Sequence, residues 1–217
     1  MPNLKVIQKI LEIGLVPVVR ATSAEEAIAI AEAIKAGGVS DLEITMTVPG
    51  ALKAIEKVVE RHGKELLVGA GTVLDPETAR ACILAGAEFI VTPSLKISTI
   101  EMCKRYGKVI IPGALTPTEV VTAWEAGSDF VKVFPCDNVG GAKYIKALKG
   151  PFPQIDLIPT GGVNLNTAAE FIAAGAAALA VGSELVDKAA VAAKDFSKIT
   201  ENARKFLEVV KAARSKS

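Results

Sequence analysis

The chain has 217 residues, half of them apolar, which predicts a folded protein with a large core and excludes a disordered one. Its 25 basic and 24 acidic residues nearly cancel, so neither nucleic acid nor an anionic membrane is an expected partner. Three cysteines (Cys82, Cys103 and Cys136) have no metal-type spacing, and a cytoplasmic, reducing location is expected.

Short apolar runs alternate with helical patterns along the chain, after a first helix expected near residues 3–13 that lacks a signal-peptide core. The predicted strands are rich in valine, isoleucine and leucine, as strands buried on both faces are: Val16–Arg20, Leu42–Thr45, Leu66–Gly69, Phe89–Thr92, Val109–Pro112, Phe130–Phe134, Asp156–Pro159 and Ala178–Val181. The predicted helices that follow them are Ala24–Lys35, Ala51–Arg61, Pro76–Leu84, Ile97–Arg105, Pro117–Glu125, Ala142–Leu148, Asn166–Ala173 and Ser197–Ala213.

Four Ala-Gly pairs precede strands, and their glycines suit a left-handed residue at a helix end: Ala36-Gly37, Ala85-Gly86, Ala126-Gly127 and Ala174-Gly175. Eight strand–helix units without a linker predict one α/β domain over residues 1–217, a (β/α)8 TIM barrel with an extra N-terminal helix. A doubly wound open sheet is the alternative fold. The alanine-rich stretch 189–193 is either an ordinary helix or a packing face.

Lys132 interrupts the apolar run Phe130-Val131-Lys132-Val133-Phe134. Strand alternation places it on the face of Phe130 and Phe134. A buried ammonium is unfavourable unless it is paired or loses its proton, and a neutral lysine is a nucleophile for a carbonyl carbon. The alternatives are an amine that reaches solvent at the end of the barrel, or one half of an ion pair.

Arg20 and Glu43 also stand in apolar strands. Glu43 alternates with Leu42 and Ile44, so it is predicted to point into the barrel. A carboxylate beside an amine can transfer protons during imine chemistry. The alternative is a carboxylate that only forms a salt bridge with Lys132 or Arg20.

The last two predicted strands end in residues typical of an anion site. Gly161 and Gly162 follow strand seven, and Gly182 and Ser183 follow strand eight. Many barrels bind phosphate at this position, with glycines that permit close backbone approach. We therefore predict a phosphate site here, with the Ser183 hydroxyl as a further donor.

Two threonines and a proline also lie at strand ends of this rim. Thr72 and Thr160 are candidate donors to a substrate carboxylate, or else ordinary turn threonines, and Pro93 ends strand four at this rim. The single histidine, His62, is predicted on the surface at a helix end. A metal-dependent mechanism is disfavoured, since catalytic metal sites usually use several histidines.

Together these motifs resemble the 2-keto-3-deoxy-6-phosphogluconate (KDPG) aldolase family, also described as 4-hydroxy-2-oxoglutarate aldolase, over nearly the whole chain. The segments that carry the resemblance are Pro17-Val18-Val19-Arg20, Leu42-Glu43-Ile44-Thr45, Gly69-Ala70-Gly71-Thr72-Val73, Phe130-Val131-Lys132-Val133-Phe134-Pro135, Lys149-Gly150-Pro151-Phe152, Pro159-Thr160-Gly161-Gly162-Val163 and Val181-Gly182-Ser183. The resemblance implies a class I aldolase on a (β/α)8 barrel, a homotrimer without metal or cofactor that acts on a 2-keto acid.

The resemblance also implies roles for single residues. Lys132 would be the Schiff-base lysine and Glu43 the acid/base. The substrate-binding set would be Thr72 and Thr160 at the pyruvyl carboxylate, Gly161, Gly162 and Ser183 at the phosphate, Phe134 beside the imine, and Arg20 at the edge of the site.

Thr47 departs from the family pattern, because many relatives carry an arginine at this position that faces the anionic groups of the substrate. The implied reaction converts KDPG reversibly to pyruvate and glyceraldehyde 3-phosphate, and 4-hydroxy-2-oxoglutarate to pyruvate and glyoxylate. Two other functions are consistent with the sequence. One is a phosphate-binding barrel isomerase or epimerase, and the other is a catalytically idle trimeric barrel that serves as an assembly scaffold.

Overall fold

The computed structural model describes residues 2–215, and of Pro2 it describes only the main chain. Strands and helices alternate through this range. The ends of the predicted domain, residues 1, 216 and 217, lie outside it. The strands are β1 Leu15–Val19, β2 Asp41–Thr45, β3 Leu67–Gly71, β4 Phe89–Val91, β5 Val109–Ile111, β6 Gly113–Ala114, β7 Val131–Val133, β8 Leu157–Pro159 and β9 Leu179–Val181. The helices are α1 Pro2–Ile13, α2 Ala24–Ala36, α3 Ala51–His62, α4 Pro76–Leu84, α5 Ile97–Arg105, α6 Pro117–Glu125, α7 Ala142–Lys149, α8 Ala168–Ala173, α9 Lys188–Ala192 and α10 Phe196–Arg214, with a 3₁₀ turn at Asp137–Val139.

All strand pairs in the described chain are parallel. One sheet has the order β5-β4-β3-β2-β1-β9, and a second has the order β6-β7-β8. The α/β class is confirmed. The predicted fifth strand, Val109–Pro112, ends at Ile111, and a short strand that was not predicted, β6, follows Pro112 in the other sheet. Proline has no N–H to donate to a strand neighbour. A parallel bridge between Thr160 and Ala180 links the end of β8 to β9.

Side chains of β7 alternate between two apolar clusters. Val131 and Val133 lie in the larger cluster, which contains side chains of the surrounding helices. Phe130 lies in a smaller inner cluster formed mainly by strand residues and α1. Lys132 therefore shares the inner face with Phe130, as predicted. The neighbours of Glu43 on β2 belong to the larger cluster, so Glu43 faces inward too.

Three of the four Ala-Gly glycines adopt the predicted left-handed conformation, with φ values of 101°, 90° and 95° at Gly86, Gly127 and Gly175. Gly37 is the exception: it is right-handed, and Gly38 takes the left-handed position with φ 91°. A Cβ on Gly37 would lie 2.6 Å from Cβ of Ala203, so glycine here lets α10 pack closely against α2.

Most helix bounds agree with the prediction to within one residue. Helix α8 begins two residues late, because the Asn164 side chain accepts hydrogen bonds from the N–H groups of Asn166 and Thr167 in a turn before it. The stretch 189–193 falls largely within α9, and only Ala190 of that helix is buried. Within residues 2–215, no helix combines the length and the apolar character that a membrane span needs.

Candidate active site

Lys132 lies on β7 with only 6% of its surface exposed. Burial lowers the pKa of its amine, because an ammonium loses hydration there. Glu43 raises this pKa and Arg20 lowers it, both by smaller amounts. The Lys132 Nζ is 5.0 Å from the centre of the Phe134 ring. The side chain therefore does not extend into solvent, which removes one alternative for this lysine.

Glu43 lies on β2 and is 1% exposed. Burial raises the pKa of its carboxyl, against smaller lowering effects of Lys132 and Arg20. Gly71 on β3 makes room for it, since a Cβ there would lie 2.7 Å from Oε1 of Glu43. Among the described atoms, Oε2 has no hydrogen-bond partner. The carboxyl group is thus coupled electrostatically to Lys132 but keeps an oxygen available for a water or a substrate.

A cavity of about 390 Å³ lies at the carboxyl ends of β7, β8, β9 and β1. It brings together most of the residues that the sequence predicted as binding groups. Its lining consists of Val18, Arg20, Phe134, Asp137, Thr160, Gly161, Gly162, Val163, Asn164, Ala180, Gly182, Ser183 and Glu184. Lys132 itself is not part of this lining, but Phe134, whose ring its Nζ approaches, is.

Thr160 has a buried side chain, and its Oγ1 has no hydrogen-bond partner within the described chain. Its main chain is fixed on both sides. The N–H donates to the Val133 carbonyl at 3.0 Å, and the carbonyl accepts from the Cys136 N–H at 2.9 Å. A buried hydroxyl without a partner is unfavourable, so this hydroxyl is positioned to bond a ligand.

Three predicted binding residues do not line the cavity: Thr47, Thr72 and Pro93. Thr47 is exposed, because β2 ends two residues earlier, and its Oγ1 lies 2.8 Å from Oγ1 of Thr45. The main chain of Pro93 packs on Gly113, where a Cβ would lie 2.3 Å from the Pro93 carbonyl carbon.

Thr72 directly follows Gly71, the residue that accommodates Glu43, and is half-buried. Its φ is 57°, in the left-handed region that a β-branched residue rarely adopts. Such backbone strain costs about 1–3 kcal/mol and often occurs at functional sites. Thr72 therefore belongs to the Glu43 side of the site rather than to the cavity.

The sequence did not identify three polar residues of the cavity: Asp137, Asn164 and Glu184. Asn164 fixes the turn before α8 through its side chain. The signal for all three is their position within a few residues of the ends of β7, β8 and β9, since the loops after parallel strands carry the binding groups in α/β folds.

The glycine pair after β8 is left-handed, with φ 96° at Gly161 and 72° at Gly162. A Cβ at either position would lie 2.7 Å from an atom of the Asp137 side chain. The packing of Asp137 thus requires glycine here, in addition to any close approach of an anion.

His62, the single histidine, is not part of the cavity lining. His62 is the last residue of α3, as predicted, with Nε2 3.4 Å from Oε1 of Glu32. Within residues 2–215, no three His, Cys, Asp or Glu side chains are grouped closely enough to hold a metal ion.

Comparison with known proteins supports one family. Residues 6–202 match the family model described as KDPG and KHG aldolase. A 2-dehydro-3-deoxy-phosphogluconate aldolase of Treponema pallidum is 35% identical, over 91% of this chain and 94% of that protein. A 2-dehydro-3-deoxy-6-phosphogalactonate aldolase of Escherichia coli is 37% identical, over 80% of this chain and 85% of that protein.

Solved structures agree. A KDPG aldolase from Legionella pneumophila, with pyruvate captured as a covalent carbinolamine, is 31% identical with a TM-score of 0.85, over 94% of this chain and 97% of that one. A cube-shaped cage designed by fusing symmetric oligomeric domains is 32% identical with a TM-score of 0.87, over 94% of this chain and 74% of that one. The chain therefore belongs to the KDPG and KHG aldolase family.

Proposed function

We propose that this chain is a class I aldolase that cleaves 2-keto-3-deoxy-6-phosphogluconate reversibly to pyruvate and glyceraldehyde 3-phosphate. We extend the proposal to cleavage of 4-hydroxy-2-oxoglutarate to pyruvate and glyoxylate. The observation that carries it is the amine of Lys132, which is buried on the inner face of β7, has a lowered pKa and interacts electrostatically with the buried Glu43. An amine held in this way can attack a ketone carbon without a cofactor.

The reaction begins when the neutral amine of Lys132 attacks the C2 carbonyl carbon of the substrate. The carbinolamine takes a proton on its hydroxyl and loses water, which leaves a protonated imine. Glu43 is the group that transfers protons in these steps, directly or through a water at its free Oε2. The raised pKa of Glu43 suits this role, since the carboxyl must bind a proton as well as release one.

Carbon–carbon cleavage follows from the protonated imine. Glu43 accepts the proton of the C4 hydroxyl, the C3–C4 bond breaks, and its electron pair moves into the imine to form an enamine while the aldehyde leaves. The enamine carbon C3 then takes a proton, and water hydrolyses the imine to release pyruvate and the Lys132 amine. The protons taken up and released cancel over the whole cycle. Aldol cleavage involves no net oxidation or reduction, so turnover needs no external oxidant or reductant.

We assign the carboxylate and the phosphate of the substrate to different residues of the site. Thr160, with its unpartnered buried Oγ1, and Thr72 bind the pyruvyl carboxylate. The phosphate lies at the glycine turn after β8 and at the Gly182–Ser183 loop, with the Arg20 guanidinium nearby. Arg20 Nη1 lies 3.4 Å from the position of a Cβ on Gly182, which supports its place at this subsite.

Pyruvate release from KDPG, measured with a coupled assay, tests this function. We expect turnover in the wild-type protein and none in Lys132→Ala. The matched control is Lys143→Ala, which removes an exposed lysine of α7 and should keep wild-type turnover.

The same assay distinguishes the proposed aldolase from both alternative functions. An isomerase or epimerase, or an idle scaffold, would release no pyruvate from any 2-keto acid. Turnover that survives in Lys132→Ala would contradict the imine mechanism.

The architecture that we propose for this function is one closed, eight-stranded (β/α)8 barrel in a single domain, in which β5 and β6 are two parts of one strand. Only Pro112 separates them, and its carbonyl accepts a hydrogen bond from the Lys132 N–H at 2.9 Å. The bridge from Thr160 to Ala180 supports closure on the other side.

We further propose that the enzyme is a cytoplasmic homotrimer. The related designed cage was made by fusing symmetric oligomeric domains, and this chain exposes large apolar side chains such as Leu74, Leu84 and Trp124. Three buried free thiols agree with a reducing compartment. Light scattering should give about three times the 22.6 kDa of the chain, and a single-chain mass at micromolar concentration would contradict the trimer.

A further inference from the structure

Asp137 is an acidic residue of the cavity lining that packs against the glycine turn of the proposed phosphate subsite. We propose that Asp137 sets the preference of this cavity between phosphorylated and unphosphorylated sugar acids: its carboxylate repels a phosphate dianion and accepts a hydrogen bond from a free hydroxyl. The inference rests on the proposed function and concerns the far end of the same substrate.

The position of Asp137 is fixed by the glycine turn. Its Oδ1 lies 2.7 Å from where a Cβ of Gly161 would be, and its Cβ lies 2.7 Å from the corresponding position on Gly162. Asp137 also begins the 3₁₀ turn after β7, whose last residue Val139 donates a hydrogen bond to the Cys136 carbonyl at 3.3 Å. The carboxylate is therefore held beside the backbone that the proposed function gives to the phosphate.

The carboxylate of Asp137 has hydrogen-bonding capacity to spare. Across the described residues, no group donates a hydrogen bond to it and no cation pairs with it, although the residue lines the cavity and is exposed. An ionised carboxylate is an acceptor only, so it can bind a hydroxyl but not an unprotonated phosphate oxygen. This chemistry favours a polyol end over a phosphate end.

The charged residues of the lining also favour an unphosphorylated end of the substrate. Arg20 is the basic residue of the cavity lining, against two acidic residues, Asp137 and Glu184. One guanidinium therefore has to balance both carboxylates before it can offset a phosphate dianion. The subsite still offers backbone donors to phosphate, so Asp137 reduces the advantage of the phosphorylated substrate without excluding it.

Condensation of pyruvate with two aldehydes measures this preference. The relevant quantity is kcat/KM for glyceraldehyde 3-phosphate divided by kcat/KM for glyceraldehyde. We expect Asp137→Asn to raise this ratio by about fivefold to tenfold, the effect of one unit charge a few ångström away in a solvent-exposed site. Asp137→Ser, which also removes the charge but is smaller, should raise it in the same direction.

The control for net charge is Glu125→Gln, which removes one negative charge from the exposed end of α6, outside the cavity lining. Its ratio should stay within about twofold of wild type, because exposed charges that far away are screened by salt. An unchanged ratio in both Asp137 variants, or an equal rise in Glu125→Gln, would overturn the inference.

Borohydride reduction in the presence of pyruvate alone separates this inference from the proposed function. If wild type and the Asp137 variants all form the pyruvyl adduct but share one ratio, only the role of Asp137 is wrong. If wild type forms no adduct, the proposed function fails and the inference fails with it.

Discussion

Burial acts in opposite directions on the two central residues of the site. It lowers the pKa of the Lys132 amine and raises the pKa of the Glu43 carboxyl, so their proton affinities move toward each other. A smaller difference in proton affinity lowers the cost of moving a proton between groups, and imine formation and hydrolysis depend on such transfers. The inner faces of β7 and β2 supply the burial, and Gly71 supplies the space for the carboxyl group.

Glu43→Gln keeps the size of the side chain and removes its ability to carry a proton. We expect kcat for pyruvate release to fall at least tenfold, in line with the usual acid/base contribution of about 10²–10⁴-fold. The melting temperature should not fall, because the buried carboxyl is unfavourable in the folded state. Glu56→Gln, an exposed change on α3, should leave both quantities unchanged, and near-normal kcat in Glu43→Gln would assign the proton transfer to another group.

Asp41, at the other end of β2, predicts a pH dependence of stability. It is fully buried, neither carboxylate oxygen has a hydrogen-bond partner among the described atoms, and burial raises its pKa despite the attraction of Lys9. An acid with a raised pKa in the folded state binds its proton more tightly there than in the unfolded chain. Its contribution to stability is therefore present below the unfolded pKa of about 4 and is lost as pH rises through the folded pKa.

Asp41→Asn should accordingly raise the free energy of unfolding at pH 8 by about 1–3 kcal/mol, because the amide carries no charge that is buried without a partner. The gain should shrink as the pH falls toward 4. Urea unfolding at both pH values measures it, with Glu56→Gln as the control. A gain that is equal at the two pH values would show that titration of Asp41 is not its cause.

The secondary-structure elements were the most predictable part of the molecule, because their signals are local. The Thr116 and Asp75 caps, each followed by proline, begin α6 and α4 where the sequence places them. The break between β5 and β6 was not predicted. Gly113, the first residue of β6, packs against Pro93 after β4, and such a contact between residues far apart in sequence leaves no local signal.

The backbone of Lys194, just after α9, is in an unfavourable conformation for a residue with a side chain, and this leads to a prediction about stability. Its φ is 57°, and it occupies the left-handed position that usually belongs to glycine. Lys194→Gly should stabilise the folded chain by about 0.5–1 kcal/mol, since the strain of a side chain in this region disappears. Lys194→Ala keeps the Cβ and should bring no gain, so equal unfolding free energies in the two variants would refute the strain.

At the scale of the whole molecule, the C-terminal helix closes the fold onto the N-terminal one. The guanidinium of Arg214 at the end of α10 donates hydrogen bonds to the carbonyl oxygens of Leu11, Glu12 and Ala177, at 2.6, 3.0 and 2.7 Å. It also covers Gly14, where a Cβ would lie 2.4 Å from Arg214 Nη2. One side chain therefore joins the end of α10 to the end of α1 and to Ala177, which precedes β9.

Arg214→Ala should lower the free energy of unfolding by about 2–3 kcal/mol, because charge-assisted hydrogen bonds are lost and carbonyl groups are left unpaired. Arg204→Ala, an exposed change on the same helix, is the control and should have little effect. Denaturant unfolding measures both, and equal stabilities would show that the contacts of Arg214 contribute nothing.

The site as a whole was predictable where it follows from strand alternation and less so where it depends on loops. Lys132 and Glu43 face inward because their strands alternate, which the sequence reveals directly. Asp137 reaches the cavity only because the glycine turn after a different strand leaves space for its side chain. Thr47 follows the expected strand, yet its hydroxyl is directed to Thr45 rather than to the cavity.

Covalent trapping tests the central claim most directly. The protein is incubated with pyruvate, reduced with borohydride and digested, and the modified peptide is identified by mass spectrometry. We predict one reduced pyruvyl group per chain, on Lys132, and none in Lys132→Ala. No adduct in the wild-type protein, or an adduct that persists in Lys132→Ala, would contradict the assignment of this lysine as the imine-forming residue.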